Sequence, residues 1–143
     1  MSRALLDVNV LLALFDPGHL HHRRAHEWIT EGFDDGWSSC AITQNGFLRI
    51  ISRPRYPNRV SPAQAHEVLS RACTTDLHEF WSCSISLLDE HIVDPSRLHG
   101  PRQVTDAYVL ALAVEHDGRL ITFDRSLPVS AVRGATKDHI VLL

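Results

Sequence analysis

Three aspartates stand where they could bind a divalent cation together. Asp7 follows the apolar run Ala4-Leu5-Leu6, and Asp124 follows a second apolar run at residues 119–123. Asp106 lies near the start of the strongly apolar segment 104–114. Carboxylate oxygens are hard ligands that suit Mg²⁺, and a Mg²⁺ ion with open water positions suits the hydrolysis of a phosphodiester. These three aspartates are therefore the candidate catalytic residues.

The elements around the aspartates predict that they meet at one edge of a sheet. Short buried strands are predicted at 4–6, 37–39, 79–83, 119–123 and 139–142, and helices at 9–15, 21–30, 43–52, 62–73, 87–92 and 104–117. Strands alternating with helices favour an α/β fold with a mostly parallel sheet. A helix of about a dozen residues covers ~18 Å and a five-residue strand returns ~16 Å, so Asp106 and Asp124 share an edge. Asp7 lies at the same edge if its strand is parallel to the strand before Asp124.

Local details of this arrangement are also predicted. Asp106 is expected in the first turn of its helix, and Gly118 is expected to end that helix in the left-handed conformation. Asn9 could orient a carboxylate or bind a water, Thr122 flanks Asp124, and Arg125 could hold a substrate phosphate. Each aspartate alone would more often be a helix cap or a turn residue, so the prediction depends on their convergence.

A basic segment could guide a nucleic-acid backbone towards this edge. No acidic residue occurs from Gly36 to His66, and the segment contains Arg49, Arg53, Arg55 and Arg59. Arginine is the better bidentate ligand for phosphate, so Arg49, Arg53 and Arg55 are the candidate contacts to a nucleic-acid backbone. A solvated helix end and loop would show the same pattern.

Length and composition limit the classes of protein. A chain of 143 residues with 44% apolar and 22% charged residues is expected to form one domain, 1–143, that buries its own core. No apolar run reaches the ~20 residues that a membrane span needs. The three cysteines have no metal-binding spacing and are expected to be reduced, as in a cytoplasmic protein.

Two motifs carry a resemblance to a known family. The segments LLDVNVLLALFD and TDAYVLALAVEHDGRLITFD, in a chain of this length, resemble PIN-domain ribonucleases and, more narrowly, the VapC toxins of bacterial type II toxin–antitoxin systems. The resemblance implies an α/β/α sandwich and Mg²⁺-dependent cleavage of RNA, often tRNA or rRNA, with Mn²⁺ as a substitute. It also implies a homodimer and a cognate VapB-type antitoxin. By position, Asp7 and Asp106 would be the principal metal ligands, and Asp124 would complete the site.

The sequence departs from the family at one place. The family usually has a glutamate within a segment like T-x-x-E-x-x-R, but here the segment runs from Thr43 to Arg49, with Gly46 at the glutamate's place. Either Asn45 or Gln44 reaches the metal site instead, or the site has one carboxylate fewer. Both possibilities weaken the case for two metal ions.

Two other functions compete with a nuclease. A catalytically weakened PIN domain could bind RNA or antitoxin without cutting. A phosphatase could use Asp7 as a nucleophile, but haloacid-dehalogenase-type phosphatases have D-x-D-x-T there, and this chain has Asn9 in place of the second acid. Such enzymes also need a positioned lysine, and Lys137 is the only lysine in the sequence.

Overall fold

The fold is built on a parallel sheet of five short strands. The computed structural model describes residues 2–32 and 35–143. The strands are β1 (Ala4–Leu6), β2 (Trp37–Cys40), β3 (His78–Trp81), β4 (Arg119–Thr122) and β5 (Ile140–Leu142). Their order across the sheet is β3-β2-β1-β4-β5, and all neighbouring pairs are parallel. The predicted parallel sheet of about five strands is therefore confirmed.

The strand order places the first strand beside the fourth. From β1 the chain moves to one side to form β2 and β3, and it later returns to the other side of β1 to form β4 and β5. Leu6, the last residue of β1, is in register with Ile121 of β4. The point between two such strands, where the order changes direction, is where open parallel sheets bind ligands.

Helices cover both faces of the sheet. They are α1 (Val8–Phe15), α2 (His22–Gly32), α3 (Ala41–Ile51), α4 (Pro62–Ala72) and α5 (Arg102–Glu115). Alternate residues of the central strands enter different cores, because successive strand side chains point to opposite faces. Leu6 packs with α1–α4 in one core, whereas Leu5 packs with α5 in the other. This confirms the expected α/β/α sandwich.

Local sequence explains where several helices begin and end. Ser61 caps α4: its hydroxyl accepts a hydrogen bond from the Gln64 N–H at 3.1 Å, and the Gln64 side chain accepts the Ser61 N–H at 2.9 Å. Pro62 follows at the first helical position, where its missing N–H costs nothing.

The α5 segment is buried on most sides from Ala107 to Ala113, as its continuous apolar sequence predicts.

Three local predictions were wrong. Residues 87–92 form turns instead of a helix, and the Asp89 side chain accepts the His91 N–H at 2.9 Å, a local bond that competes with helix formation. Helix α5 begins at Arg102, so Asp106 is in its second turn and not its first. The left-handed residue after α5 is Asp117, with φ 51°, and not Gly118.

Gly118 has a different reason to be a glycine. An added Cβ there would lie 2.5 Å from the Trp81 ring and 2.8 Å from the Arg3 carbonyl oxygen. Its N–H closes the end of α5 by donating to the Ala113 carbonyl at 2.8 Å. A glycine is therefore required where the chain entering β4 packs against Trp81 of β3 and the residue before β1.

A helix that crosses a bilayer has to be long and mostly apolar. None of the helices in residues 2–32 and 35–143 is both long enough and apolar enough to cross a membrane.

Candidate active site

Asp7 lies at the carboxyl end of β1 and caps α1. One carboxylate oxygen, Oδ1, accepts the Val8 N–H at 2.8 Å, and the other, Oδ2, accepts the Thr122 hydroxyl at 2.8 Å. Burial raises the pKa of Asp7, the two hydrogen bonds lower it, and the charge of Asp124 raises it again, with a net upward shift. The carboxylate is thus held in a fixed orientation by one donor from each of two elements.

Thr122 links the first and last aspartates of the site. It is fully buried at the end of β4, and its hydroxyl oxygen also accepts the Asp124 N–H at 3.0 Å. A single hydroxyl therefore donates to the side chain of Asp7 and fixes the backbone of Asp124. The sequence pattern placed Thr122 beside Asp124 but did not reveal its bond to Asp7.

Asp124 is further held by Ser126, which the sequence analysis did not single out. Asp124 Oδ1 accepts the Ser126 N–H at 2.8 Å and the Ser126 hydroxyl at 2.7 Å. These bonds lower the pKa of Asp124 despite partial burial, so this carboxyl is ionised at neutral pH. The spacing Asp-x-Ser is typical of this local turn and was the available signal.

Asp106 is the aspartate whose charge is least well compensated. It projects from the second turn of α5, half-buried, and shares a hydrogen bond with Asp124. Burial, followed by the negative charges of Asp7 and Asp124, raises the pKa of Asp106 to about 7. Such a shift indicates that the three carboxyl groups are close enough to repel one another.

A cavity of about 410 Å³ joins the aspartates to a face of α3. Its lining from α3 has the spacing of one helical face, with Ile42, Asn45, Gly46, Arg49 and Ile50. The rest of the lining comes from the ends of the other elements: Asp7, Val8, Asn9, Thr105, Asp106 and Asp124. All three predicted catalytic residues, with Asn9 and Asn45, are therefore gathered around one space.

The predicted arginines are divided between this cavity and the surface. Arg49, in the last turn of α3, lines the cavity. Arg53 and Arg55 are exposed in the turns after α3, and Arg125 is exposed directly after Asp124. None of these three is among the residues that line the cavity. Only Arg49 is placed to meet a group bound between the aspartates.

The donor set suits a hard divalent cation, although the side chains are not arranged around one. Within the two described ranges, no three His, Cys, Asp or Glu side chains form a ready-made ion site. Asp106 and Asp124 instead share a hydrogen bond, which requires a proton that a cation would replace. The repulsion among the three carboxyl groups is the conflict that a bound divalent cation resolves.

Comparisons with known proteins agree with this geometry. The sequence profile of the PIN domain matches residues 4–131. Ribonuclease VapC44 of Mycobacterium tuberculosis (strain ATCC 25618 / H37Rv) is 62% identical over 141 residues, which cover 99% of each chain. Ribonuclease VapC39 of the same strain is 41% identical over 133 residues, covering 92% of this chain and 95% of the relative. This chain therefore belongs to the PIN domain family and, within it, to the VapC group.

Proposed function

We propose that this protein is the toxin of a type II toxin–antitoxin system and a metal-dependent endoribonuclease. The cofactor would be Mg²⁺, with Mn²⁺ as a substitute, and the substrate would be RNA, with tRNA or rRNA as the expected class. The observation that carries the proposal is the hydrogen-bonded chain Asp7–Thr122–Asp124 beside Asp106, a carboxyl whose pKa is raised to about 7. The ribonuclease names of relatives that cover nearly the whole chain support the same reaction.

Each residue of the site has a role in this proposal. Asp7 and Asp106 would hold the cation, which, when bound, lowers the pKa of a water and offsets charge on the phosphate. Asp124, fixed by Ser126, would orient the attacking water. Thr122 keeps Asp7 in the orientation that presents it to the cavity.

Substrate binding is assigned to the basic side of the cavity. Arg49 would contact the phosphate next to the scissile bond, with Asn9 and Asn45 as neutral hydrogen-bonding groups in the same space. Arg53, Arg55 and Arg125 would act outside the cavity, on flanking phosphates. Lys137 is exposed and does not line the cavity, so the positioned lysine of a phosphatase is missing from the described lining.

RNA cleavage by the purified protein tests the reaction. Total RNA is incubated with wild-type protein in Mg²⁺, in EDTA, and with Asp7→Asn in Mg²⁺. Asp76→Asn, at an exposed aspartate before β3, is the control for loss of a charge. Discrete fragments are expected only with Mg²⁺ and an intact Asp7, and their ends identify the target. Cleavage by Asp7→Asn at the wild-type rate would refute the site. Binding of RNA or antitoxin without cleavage would favour the weakened PIN domain.

The flanking arginines are tested through the salt dependence of RNA binding. Each phosphate contact that is removed should reduce the slope of log affinity against log salt by about 0.7 for single-stranded RNA. Arg53→Gln with Arg55→Gln is therefore expected to flatten the slope by about 1.4. Arg97→Gln with Arg133→Gln is the control with the same charge change. An unchanged slope in the first pair would exclude it from the RNA path.

Partner binding completes the proposal. We infer inhibition by a VapB-type antitoxin from the VapC names of the relatives, and we propose that the protein is a cytoplasmic homodimer. Sedimentation of the protein alone and with the antitoxin encoded beside it gives both stoichiometries. A monomer at micromolar concentration would contradict the dimer without affecting the catalytic assignment.

A further inference from the structure

Gly46 packs directly against the first residue of α1. A Cβ placed on Gly46 would lie 2.6 Å from Cγ2 of Val8 and 3.3 Å from its Cγ1. A separation under 3.0 Å between carbon atoms requires one of them to move. Val8 is β-branched and half-buried, so its side chain has few rotamers with which to move away. A larger residue at position 46 therefore requires the Val8 side chain, or one of the helices α1 and α3, to move.

Val8 is coupled to the catalytic aspartate beside it. Its N–H donates to Asp7 Oδ1, and it lines the same cavity as Asp7 and Gly46. A displacement of Val8 moves this donor and turns the Asp7 carboxylate away from the orientation that the Thr122 hydroxyl also holds. The contact between α3 and α1 is thus transmitted to Asp7 through a single hydrogen bond.

The same contact limits the charge of the cavity. Gly46 adds no charge to the cavity, and even a Cβ at this position would lie against the Val8 side chain. The polar side chains that this face of α3 adds to the lining are Asn45, whose amide carries no charge, and Arg49. Three aspartates and Arg49 line the cavity, which gives a formal charge of −2 when all are ionised. One divalent cation neutralises that charge, so a second would have to bind a cavity with no net negative charge left and would make it positive.

We propose that Gly46 and Val8 are a positioning pair that holds Asp7, and that the cavity they bound takes one divalent cation per chain. The inference rests on the proposed function, since it assigns a stoichiometry to the cation of that site. Gly46 is in this view the residue that the packing requires, and not the trace of a lost carboxylate.

Stability and ion binding test the positioning pair without any RNA. Alanine is a better helix former than glycine, so Gly46→Ala would raise the melting temperature if the contact did not matter. We expect instead a lower melting temperature and Mn²⁺ binding weakened by about tenfold, as for other supports of metal ligands. Val8→Ala with Gly46→Ala should restore both. Gly100→Ala is the control, because a Cβ there meets nothing within 4 Å.

The outcomes separate this inference from the proposed function. Gly46→Ala with the stability and Mn²⁺ affinity of Gly100→Ala would overturn the positioning pair. The number of ions is measured by titrating the wild-type protein with Mn²⁺ and counting free ion by electron paramagnetic resonance. One ion per chain is expected. Two bound ions would overturn the single-cation inference and leave the nuclease intact, whereas no binding would refute the metal dependence of the proposed function and this inference with it.

Discussion

Replacing Asp106 by asparagine is expected to abolish cleavage and to stabilise the ion-free protein. The carboxyl group is half-buried, faces two other aspartates, and has a pKa raised from 3.8 to about 7. Asparagine has nearly the same shape, cannot ionise, and can donate to Asp124 through its amide. The substitution therefore removes the repulsion and keeps the hydrogen bond.

The magnitude follows from the pKa of Asp106. Each pH unit between the unfolded and folded pKa is worth about 1.36 kcal/mol, so a rise from 3.8 to about 7 corresponds to about 4 kcal/mol above pH 7. Asp106 is partly exposed to solvent, which screens its interactions, so the expected gain is reduced to roughly 2 kcal/mol. For a chain of this size that is a rise in melting temperature of about 6 °C.

The sign of the pH dependence is fixed by the direction of the pKa shift. Because the folded pKa lies above the unfolded one, the folded state binds the extra proton between about pH 4 and pH 7. The wild-type protein therefore loses stability as the pH rises through this window. The advantage of Asp106→Asn should be small near pH 4, grow towards pH 7, and stay constant above it.

Urea unfolding in EDTA at pH 5 and pH 8 measures this gain. Asp76→Asn controls for the loss of one negative charge at an exposed position. Adding Mg²⁺ at pH 8 should stabilise the wild-type protein more than Asp106→Asn, because the variant has lost a ligand. A variant less stable than the wild type at pH 8, or a difference independent of pH, would refute the argument from repulsion.

Two further substitutions test buried hydrogen bonds. Thr122→Val leaves Asp7 Oδ2 without its donor, so we expect the free energy of unfolding to fall by about 1–3 kcal/mol and cleavage to be much reduced. Thr122→Ser keeps the hydroxyl and should stay close to wild type. Equal losses for the valine and serine variants would contradict this role. Tyr56→Phe removes a 2.6 Å bond to buried Asp16 and should cost about 1–3 kcal/mol by urea unfolding with cleavage unchanged. Burial raises the pKa of Asp16, but its hydrogen bonds lower it by more, so the net shift of the pKa is downward. The stabilisation is therefore present above about pH 4 and lost in acid. A loss that persisted in acid would point to packing instead.

The meeting of the three aspartates could be predicted because it depends on lengths and directions. A strand has to come back along the helix that precedes it, so the beginning of α5 and the end of β4 fall at the same edge whatever the side chains do. The strands at Ala4–Leu6 and Arg119–Thr122 could be predicted from short apolar runs in the sequence. The parallel pairing of these two strands then brings Asp7 to Asp124.

Contacts between distant residues could not be predicted in the same way. Asp16 is held by Tyr56 and Asn58, which are 40 and 42 residues away, and no local pattern connects them. Likewise, no local pattern shows that a Cβ at position 46 would lie 2.6 Å from Cγ2 of Val8, in a different helix. Gly118 was assigned the left-handed conformation because glycine commonly follows a helix, but Asp117 adopts it, and the glycine is needed where Trp81 packs.

The bond between Thr122 and Asp7 also determines when the candidate active site can form during synthesis of the chain. Its two residues are 115 positions apart, so the bond forms only after nearly the whole chain has been synthesised and β4 has closed beside β1. A nascent chain that stops within α5 carries Asp7 and Asp106 but has neither the hydroxyl that orients Asp7 nor Asp124. If the proposed function holds, translation therefore yields no competent nuclease until β4 and Asp124 have been synthesised.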